Sequence, residues 1–182
     1  MLMSALLAVA VLAAIAAHRF TGFRSQRPAH FAALGPGFDP RRDLNGPILC
    51  EGVVYGPTGR ATSRFLADMM GKWEGSRGIL TECFRYDTGE VVDREWRLTV
   101  GNDGRMRAEA DDLVGTGFGH VSGPTVQMLY NLRLPKSAGG HVLAVTDRMY
   151  LSKNGTIMNR NQFHKFGLKV AELVATMRRV PA

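Results

Sequence analysis

From about Asn45 onward, glycine-containing turns cut the chain into short runs of alternating apolar and polar residues. The turns are Gly56-Pro57-Thr58-Gly59, Asp87-Thr88-Gly89, Asn102-Asp103-Gly104, Gly123-Pro124 and Asn154-Gly155. A strand shows its side chains to two faces in turn, so a two-residue period describes half-buried strands, and turns this tight join neighbours antiparallel. Roughly eight to ten strands fit between Asn45 and Met177, enough to close a sheet on itself and remove its exposed edges. The 21 glycines fall at turns and inside strands without forming a repeat, as suits an all-β chain. One stretch departs from the pattern: Phe163 to Leu173 (FHKFGLKVAEL) has room for a turn of helix before a last strand. The expectation is an all-β, antiparallel meander β-barrel over residues 45–182.

Turn length fixes register, and side-chain alternation tests it. With Asn102-Asp103-Gly104 as a three-residue loop, Val100 faces Met106, Leu98 faces Ala108 and Trp96 faces Ala110, whereas a two-residue loop would set Leu98 against Glu109. The next row places Arg94 against Asp112. The same reasoning at Asp87-Thr88-Gly89 sets Phe84 against Val92, Glu82 against Arg94 and Leu80 against Trp96. Glu82, Arg94 and Asp112 thus form a charged row across the apolar face, where unpaired charges are strongly disfavoured. With Asn154-Gly155 as a two-residue turn, Leu151 pairs with Met158, Met149 with Arg160 and Asp147 with Gln162. That register brings Asp147 and Arg160 together as a second internal ion pair. A Gly123-Pro124 turn sets Gly117 opposite Tyr130 and Gly119 opposite Met128; with Gly115, these glycines leave room for bulky neighbours or for a ligand.

The N-terminus has a different character. Leu2 to Ala17 carries no charge and consists mostly of strong helix formers, a little short of the ~20 residues that span a bilayer. Ala14-Ile15-Ala16 resembles a signal-peptide cleavage site, but no Lys or Arg precedes the apolar run and Arg19 falls just after it, which favours an uncleaved anchor. The expected organisation is a membrane-anchor helix over residues 1–20, a linker or strap over the barrel mouth at 21–44, and the barrel at 45–182. Such a single-pass anchor belongs in an inner membrane. The basic residues flanking it place the barrel on the cytoplasmic side by the positive-inside rule.

The formal charge of +7 suggests nucleic acid at first sight. Yet Arg19, Arg24, Arg27, Arg41 and Arg42 against Asp39 and Asp43 supply +3 of it before the barrel begins. No basic helix or interleaved aromatic set follows, so nucleic acid is not the expected partner, and attraction of the juxtamembrane arginines to anionic lipid is the simpler account. Cys50 and Cys83 lack any CxxC or Cys/His spacing, and whether they pair depends on the redox compartment. His18, His30, His120, His141 and His164 share no ligand spacing, so no metal is expected, and no cofactor motif is present. There is no GxSxG, Walker or HExxH motif, and the glycines at 115–119 do not lead into a helix. Asp111 and Asp112 are adjacent and point to opposite faces, so they do not act as paired carboxylates. Asn154-Gly155-Thr156 matches a glycosylation sequon, but a type I′ hairpin turn explains it fully.

Several stretches taken in order resemble domain-of-unknown-function family 3833, bacterial proteins described as lipoproteins with a lipocalin-like fold. They are Asn45-Gly46-Pro47, Met69 to Trp73, Phe84 to Gly89, Asp111 to Gly115, Asp147 with Met149, Asn159-Arg160 and Lys165-Phe166-Gly167. The resemblance covers nearly all of Phe38 to Met177. It implies a lipocalin- or calycin-like barrel in a membrane setting, and it favours the periplasm over the cytoplasmic face. It carries no activity and no catalytic residues. Many members have an N-terminal acceptor cysteine where this chain has none before Cys50, and Trp where this chain has Arg148.

The lumen is where chemistry is expected. Candidate ligand-binding residues are Glu82, Arg94, Trp96, Asp112, Tyr130, Asp147, Met149 and Arg160. Three acids against two arginines leave one excess carboxylate, so one acid of the Glu82/Arg94/Asp112 row should hold its proton near neutral pH. The leading expectation is a membrane-tethered binder of a lipid-derived or amphipathic small molecule, with Arg94 or Arg160 meeting its polar end. An enzyme on membrane-derived lipid substrates, with protonated Glu82 or Asp112 as general acid, is the alternative. A structural or assembly partner with a filled lumen is the third.

Overall fold

A computed structural model describes residues 22–180. The expected anchor at 1–20 lies outside the described residues, and among those described no helix is long and apolar enough to cross a membrane. Ten strands form one closed antiparallel barrel: β1 (Gly46–Tyr55), β2 (Ala61–Glu74), β3 (Arg77–Tyr86), β4 (Val91–Val100), β5 (Arg105–Glu109), β6 (Gly117–Ser122), β7 (Thr125–Arg133), β8 (Val142–Leu151), β9 (Ile157–Lys165) and β10 (Leu168–Arg179). Each strand pairs with the next, and β10 pairs back onto β1 along Ile48–Tyr55, so the sheet has no free edge.

The registers around β3, β4 and β5 follow the side-chain alternation: Leu80 pairs with Trp96, Glu82 with Arg94, Phe84 with Val92, and Leu98 with Ala108. The β6–β7 hairpin likewise sets Gly119 against Met128. The glycines of β6 serve those neighbours: a Cβ on Gly119 would meet the Met128 sulfur at 2.1 Å, and one on Gly117 would meet the Tyr130 Cβ at 3.1 Å. Gly115 precedes the strand, in a left-handed turn at φ 78°.

Two expectations give way in the last hairpins. Leu151 pairs with Ile157, Met149 with Asn159 and Asp147 with Asn161, one residue away from the register expected of a two-residue turn. The connection is a three-residue loop, Lys153-Asn154-Gly155, closed by Ser152 N–H donating to Thr156 O at 2.8 Å, with Gly155 left-handed at φ 82°. A one-residue slip turns every side chain of the strand to the other face, so Arg160 leaves the lumen. The stretch from Phe163 to Leu173 contains no helix. Lys165 pairs with Leu168 across a two-residue turn in which Phe166 and Gly167 both take positive φ, the geometry that matches strand twist.

The barrel has one closed end. The short helix α1 (Pro40–Asp43) is capped by the Asp39 side chain, which accepts from Arg41 N–H at 3.1 Å. Leu44, at its end, is 1% exposed and joins the core, and the Trp73 indole donates to Leu44 O at 3.0 Å. A Cβ on Gly71 would lie 1.8 Å from Leu44 O, so only glycine lets this plug seat.

Residues 22–38 form a strap, but along the outer wall and the closed end, away from the mouth. Outward-facing Thr146 and Arg148 of β8 are buried, and polar groups buried there need partners. The strap supplies them for Arg148, whose guanidinium, 1% exposed as a residue, donates to Phe23 O and Gln26 O. The Tyr150 hydroxyl donates to the Gln26 side chain at 2.7 Å, the Ser122 hydroxyl to Pro28 O at 2.6 Å, and Phe38 N–H to Gly123 O at 2.8 Å.

Candidate functional site

Inside the barrel lies a cavity of about 620 Å³, in the range of small-molecule sites. Its side chains change character with depth. Met69, Leu80, Leu98, Met106, Met128 and Met177 line the lower part above Leu44, a deformable apolar floor. Charged and amide groups form a belt above it. Phe84, Tyr86, Val92, Leu132, Phe163 and Leu173 line the upper part towards the mouth. The mouth is the end carrying the β3–β4, β5–β6 and β7–β8 connections, which contribute Glu90, Asp111 and Pro135 to the lining.

The belt assembles from neighbouring strands. Arg94 and Asp112 pair at 3.0 Å as expected, although Asp112 reaches Arg94 from the β5–β6 connection, beyond the end of β5. The Arg94 guanidinium stacks 3.9 Å above the Trp96 ring, and Trp96 meets Tyr130 edge-on at 5.2 Å between centroids. Planar Arg94 is thereby fixed on two sides, and despite burial it holds its proton more firmly than usual because of Tyr130, Glu82 and Asp112. Glu82 sits beside it and is buried. Desolvation pushes its carboxyl up to about 7, against the opposing pull of Arg94 and a hydrogen bond from Trp96.

Asp147 faces the belt from β8. Burial raises its carboxyl to about 6, although hydrogen bonds from Asn159 and Tyr130 and the charge of Arg94 all favour the ionised form. Asn159 Nδ2 donates at 2.7 Å, and Asn161, its amide turned so that nitrogen faces the carboxylate, donates to the same group. Burial also raises the Tyr130 hydroxyl and pushes the Cys50 thiol up to about 12, so both stay protonated. Cys50 faces inward and Cys83 outward, and both are free thiols.

Seven of the eight residues expected in the lumen line this cavity: Glu82, Arg94, Trp96, Asp112, Tyr130, Asp147 and Met149. Arg160 does not. It lies on the outer wall, paired with Glu172 and beneath the Phe23 ring, its side chain 44% exposed. The ion pair expected between Asp147 and Arg160 is absent because the β8–β9 loop is one residue longer than Asn154-Gly155 alone. Asn159, Asn161 and Phe163 take the inward positions instead. The sequence carries a signal for this: Ser152-Lys153-Asn154-Gly155-Thr156 aligns position by position with Gly101-Asn102-Asp103-Gly104-Arg105, where side-chain alternation requires three loop residues. The acid predicted to keep its proton in the charged row is Glu82. Among the described residues no group of three or more His, Cys, Asp or Glu side chains is placed to hold a metal ion.

The match to a family model over residues 17–179, nearly the whole chain, decides the classification. The chain belongs to the family described as protein of unknown function (DUF3833). No curated protein matches this DUF3833 chain. Among solved structures, its barrel is similar to the S-type phycobiliprotein lyase CPES from Guillardia theta, with a TM-score of 0.54 at 8% identity, over 77% of this chain and 90% of that one. It is also similar to a protein of unknown function from the DUF3598 family of Nostoc punctiforme, with a TM-score of 0.53 at 11% identity over 80% of this chain. The DUF3833 barrel spans about half (51%) of that second protein's length. At such identities the likeness is one of fold alone, that of a closed antiparallel barrel.

Proposed function

We propose that the barrel binds a lipid-derived or otherwise amphipathic small molecule in its lumen, drawn from a membrane beside its mouth. The cavity carries this reading. A volume of about 620 Å³ with an apolar floor, a polar belt and one mouth suits a molecule with a greasy body and a polar end. The membrane setting draws support from the β9–β10 tip at the mouth end, where Phe166 is 94% and Leu168 72% exposed between Lys165 and Lys169. Exposed apolar side chains flanked by lysines favour a lipid interface.

Native mass spectrometry of the full-length protein after mild detergent extraction, followed by solvent extraction of whatever travels with it, tests the proposal. A co-purifying amphiphile of consistent mass is expected. Repeated recovery of protein with no small molecule attached overturns it.

One observation favours an enzyme as the second reading: Glu82 sits near 7, where a general acid works best. An enzyme would convert the recovered molecule on incubation, and Glu82→Gln would stop the conversion; return of the molecule unchanged removes this reading. A purely structural role with a filled lumen is disfavoured by the cavity volume.

A further inference from the structure

Resting on the reading of the lumen as an amphiphile site, we propose that the polar end of the occupant is a protonated amine, held by Glu82 and Asp147 beneath the aromatic cluster of Phe65, Phe84 and Tyr86.

The charge inventory comes first. With Arg160 on the outer wall and Arg133 nearer the mouth, the belt among the described residues holds Glu82, Asp112 and Asp147 against one cation, Arg94. That cation is already engaged: Nε and Nη2 donate to one Asp112 oxygen at 3.2 and 3.1 Å, and Trp96 covers its face at 3.9 Å. An anionic headgroup would have to displace Asp112 and then rest among three carboxyl groups. A cation meets the opposite situation. The Asp147 charge is felt by Glu82 across the lumen, and among the described residues no second arginine stands in the belt beside them. The mouth is mixed: Glu90 and Asp111 line it against Arg133, Lys165 and Lys169 flank the β9–β10 tip, and Asp93 and Glu95 sit at outward positions of β4, with Asp111 and Glu95 engaging Arg97 outside. On a chain of net charge +7, the excess carboxyls of the belt form a local field of the other sign inside the cavity, which favours a cation there.

The aromatic residues supply the second, independent observation. Phe65, Phe84 and Tyr86 lie one and two steps mouthward of Glu82 along the sheet, with ring centroids 5.3, 5.8 and 6.1 Å apart. A cluster of ring faces next to buried carboxyls is the environment in which an ammonium group exchanges water for quadrupoles and anions. Arg94 over Trp96 shows the same chemistry already at work elsewhere in this lumen.

Proton balance follows directly. Without a ligand cation, burial favours the protonated form of both acids, raising the carboxyls to about 7 for Glu82 and about 6 for Asp147, so each tends to hold a proton. An arriving ammonium replaces that proton, so binding releases protons to solvent and strengthens as pH rises. The other titratable or charged groups facing the site are Cys50 from β1, Tyr86 from β3, Arg94 from β4, Asp112 from the β5–β6 connection and Tyr130 from β7. Cys50, Tyr86 and Tyr130 have raised values and stay neutral between pH 6 and 8, and Arg94 stays charged. The inward faces of β2, β5, β6 and β10 bring no titratable side chain, and that of β9 only Lys165 at its mouth end, outside the cavity lining.

Calorimetry with the full-length protein and three probes of equal chain length, dodecylamine, dodecanol and dodecanoate, each below its micelle concentration, tests this at pH 6 and pH 8. An alkyl amine titrates near the ~10.4 of lysine and is charged at both values. At pH 8 dodecylamine should bind at least tenfold tighter than dodecanoate, and its affinity should rise at least threefold from pH 6 to pH 8 with measurable proton release. Glu82→Gln with Asp147→Asn should abolish the preference while dodecanol still binds, which shows the lumen intact. Equal or tighter binding of dodecanoate overturns the amine assignment and leaves the amphiphile site standing. Failure of all three probes to bind removes both.

Discussion

The β4–β5 and β8–β9 hairpins turn through one backbone geometry, yet their strands differ in how firmly they are held to it. In each, the residue before the loop donates across it at 2.8 Å, an Asp103 or Asn154 oxygen accepts from the second residue on at 3.0 Å, and a left-handed glycine finishes the turn. The strands around the first loop alternate cleanly: Trp96, Leu98 and Val100 are buried and Glu95, Arg97 and Thr99 exposed. A slip there would drive charges into the core. On β9 one face offers Ile157, Asn159, Asn161 and Phe163, and the other Met158, Arg160, Gln162 and His164. Both faces are mixed, and the outer one is itself half-buried: Gln162 and His164 are buried, Met158 and Arg160 exposed, with Phe23 of the strap lying over Arg160. Hydrophobic patterning specifies register where one face is wet, and loses that power where a second layer covers the sheet.

The two arginines assigned from these hairpins give the widest separation between the regions. Arg94→Ala removes the partner of a half-buried carboxylate and the cap on Trp96, and should cost about 3 kcal/mol, near the lower end for breaking a buried pair because Asp112 keeps some solvent. Urea midpoints with an unchanged slope check this; a cost under about 1 kcal/mol would place Arg94 on a wet surface. Glu82→Gln comes next and has the opposite sign at high pH. The Glu82 value is raised in the fold, so its stabilising contribution is whole below about 4.5 and is lost as pH rises to about 7. Wild type should therefore be less stable at pH 8 than at pH 5, and the glutamine variant should recover on the order of 2 kcal/mol at pH 8 with a flatter profile. Equal midpoints for the two proteins at both pH values would mean Glu82 is solvated.

The loop glycines test the shared geometry itself. Gly104→Ala meets both a positive φ and the Val121 carbonyl at 3.0 Å, and should cost about 2 kcal/mol; Gly155→Ala meets only the conformational penalty, about 1 kcal/mol. A neutral Gly155→Ala would contradict the three-residue loop. Arg160→Ala should have the smallest effect, under about 1 kcal/mol, since its pair with Glu172 lies on the outer wall and Lys169 also serves that carboxylate at 2.7 Å. If it instead matched Arg94→Ala in thermal and urea unfolding, the β9 register described here would be wrong.

Most of the barrel was legible because its wet faces carry the two-residue period. The row of Glu82, Arg94 and Asp112 followed from two turn lengths and the rule that apolar faces must match. What escaped depended on contacts distant in sequence. The covering of Arg148 by Phe23 and Gln26 joins residues more than a hundred positions apart, and no local pattern announces it. The seating of Leu44 against Gly71 is of the same kind. Arg160 escaped for a subtler reason: Asn-Gly also suits a type I′ turn, while the turn of that length fell at Phe166-Gly167, a pair with weaker preference for it.

The fit of Leu44 against Gly71, with no space for even a methyl group between them, makes the barrel a blind vessel. Under the proposed function, arrival and departure would share one route past the aromatic rings, so a second molecule could not push the first out from behind. Exchange would then proceed one occupant at a time, at a pace set by how readily the mouth lets go.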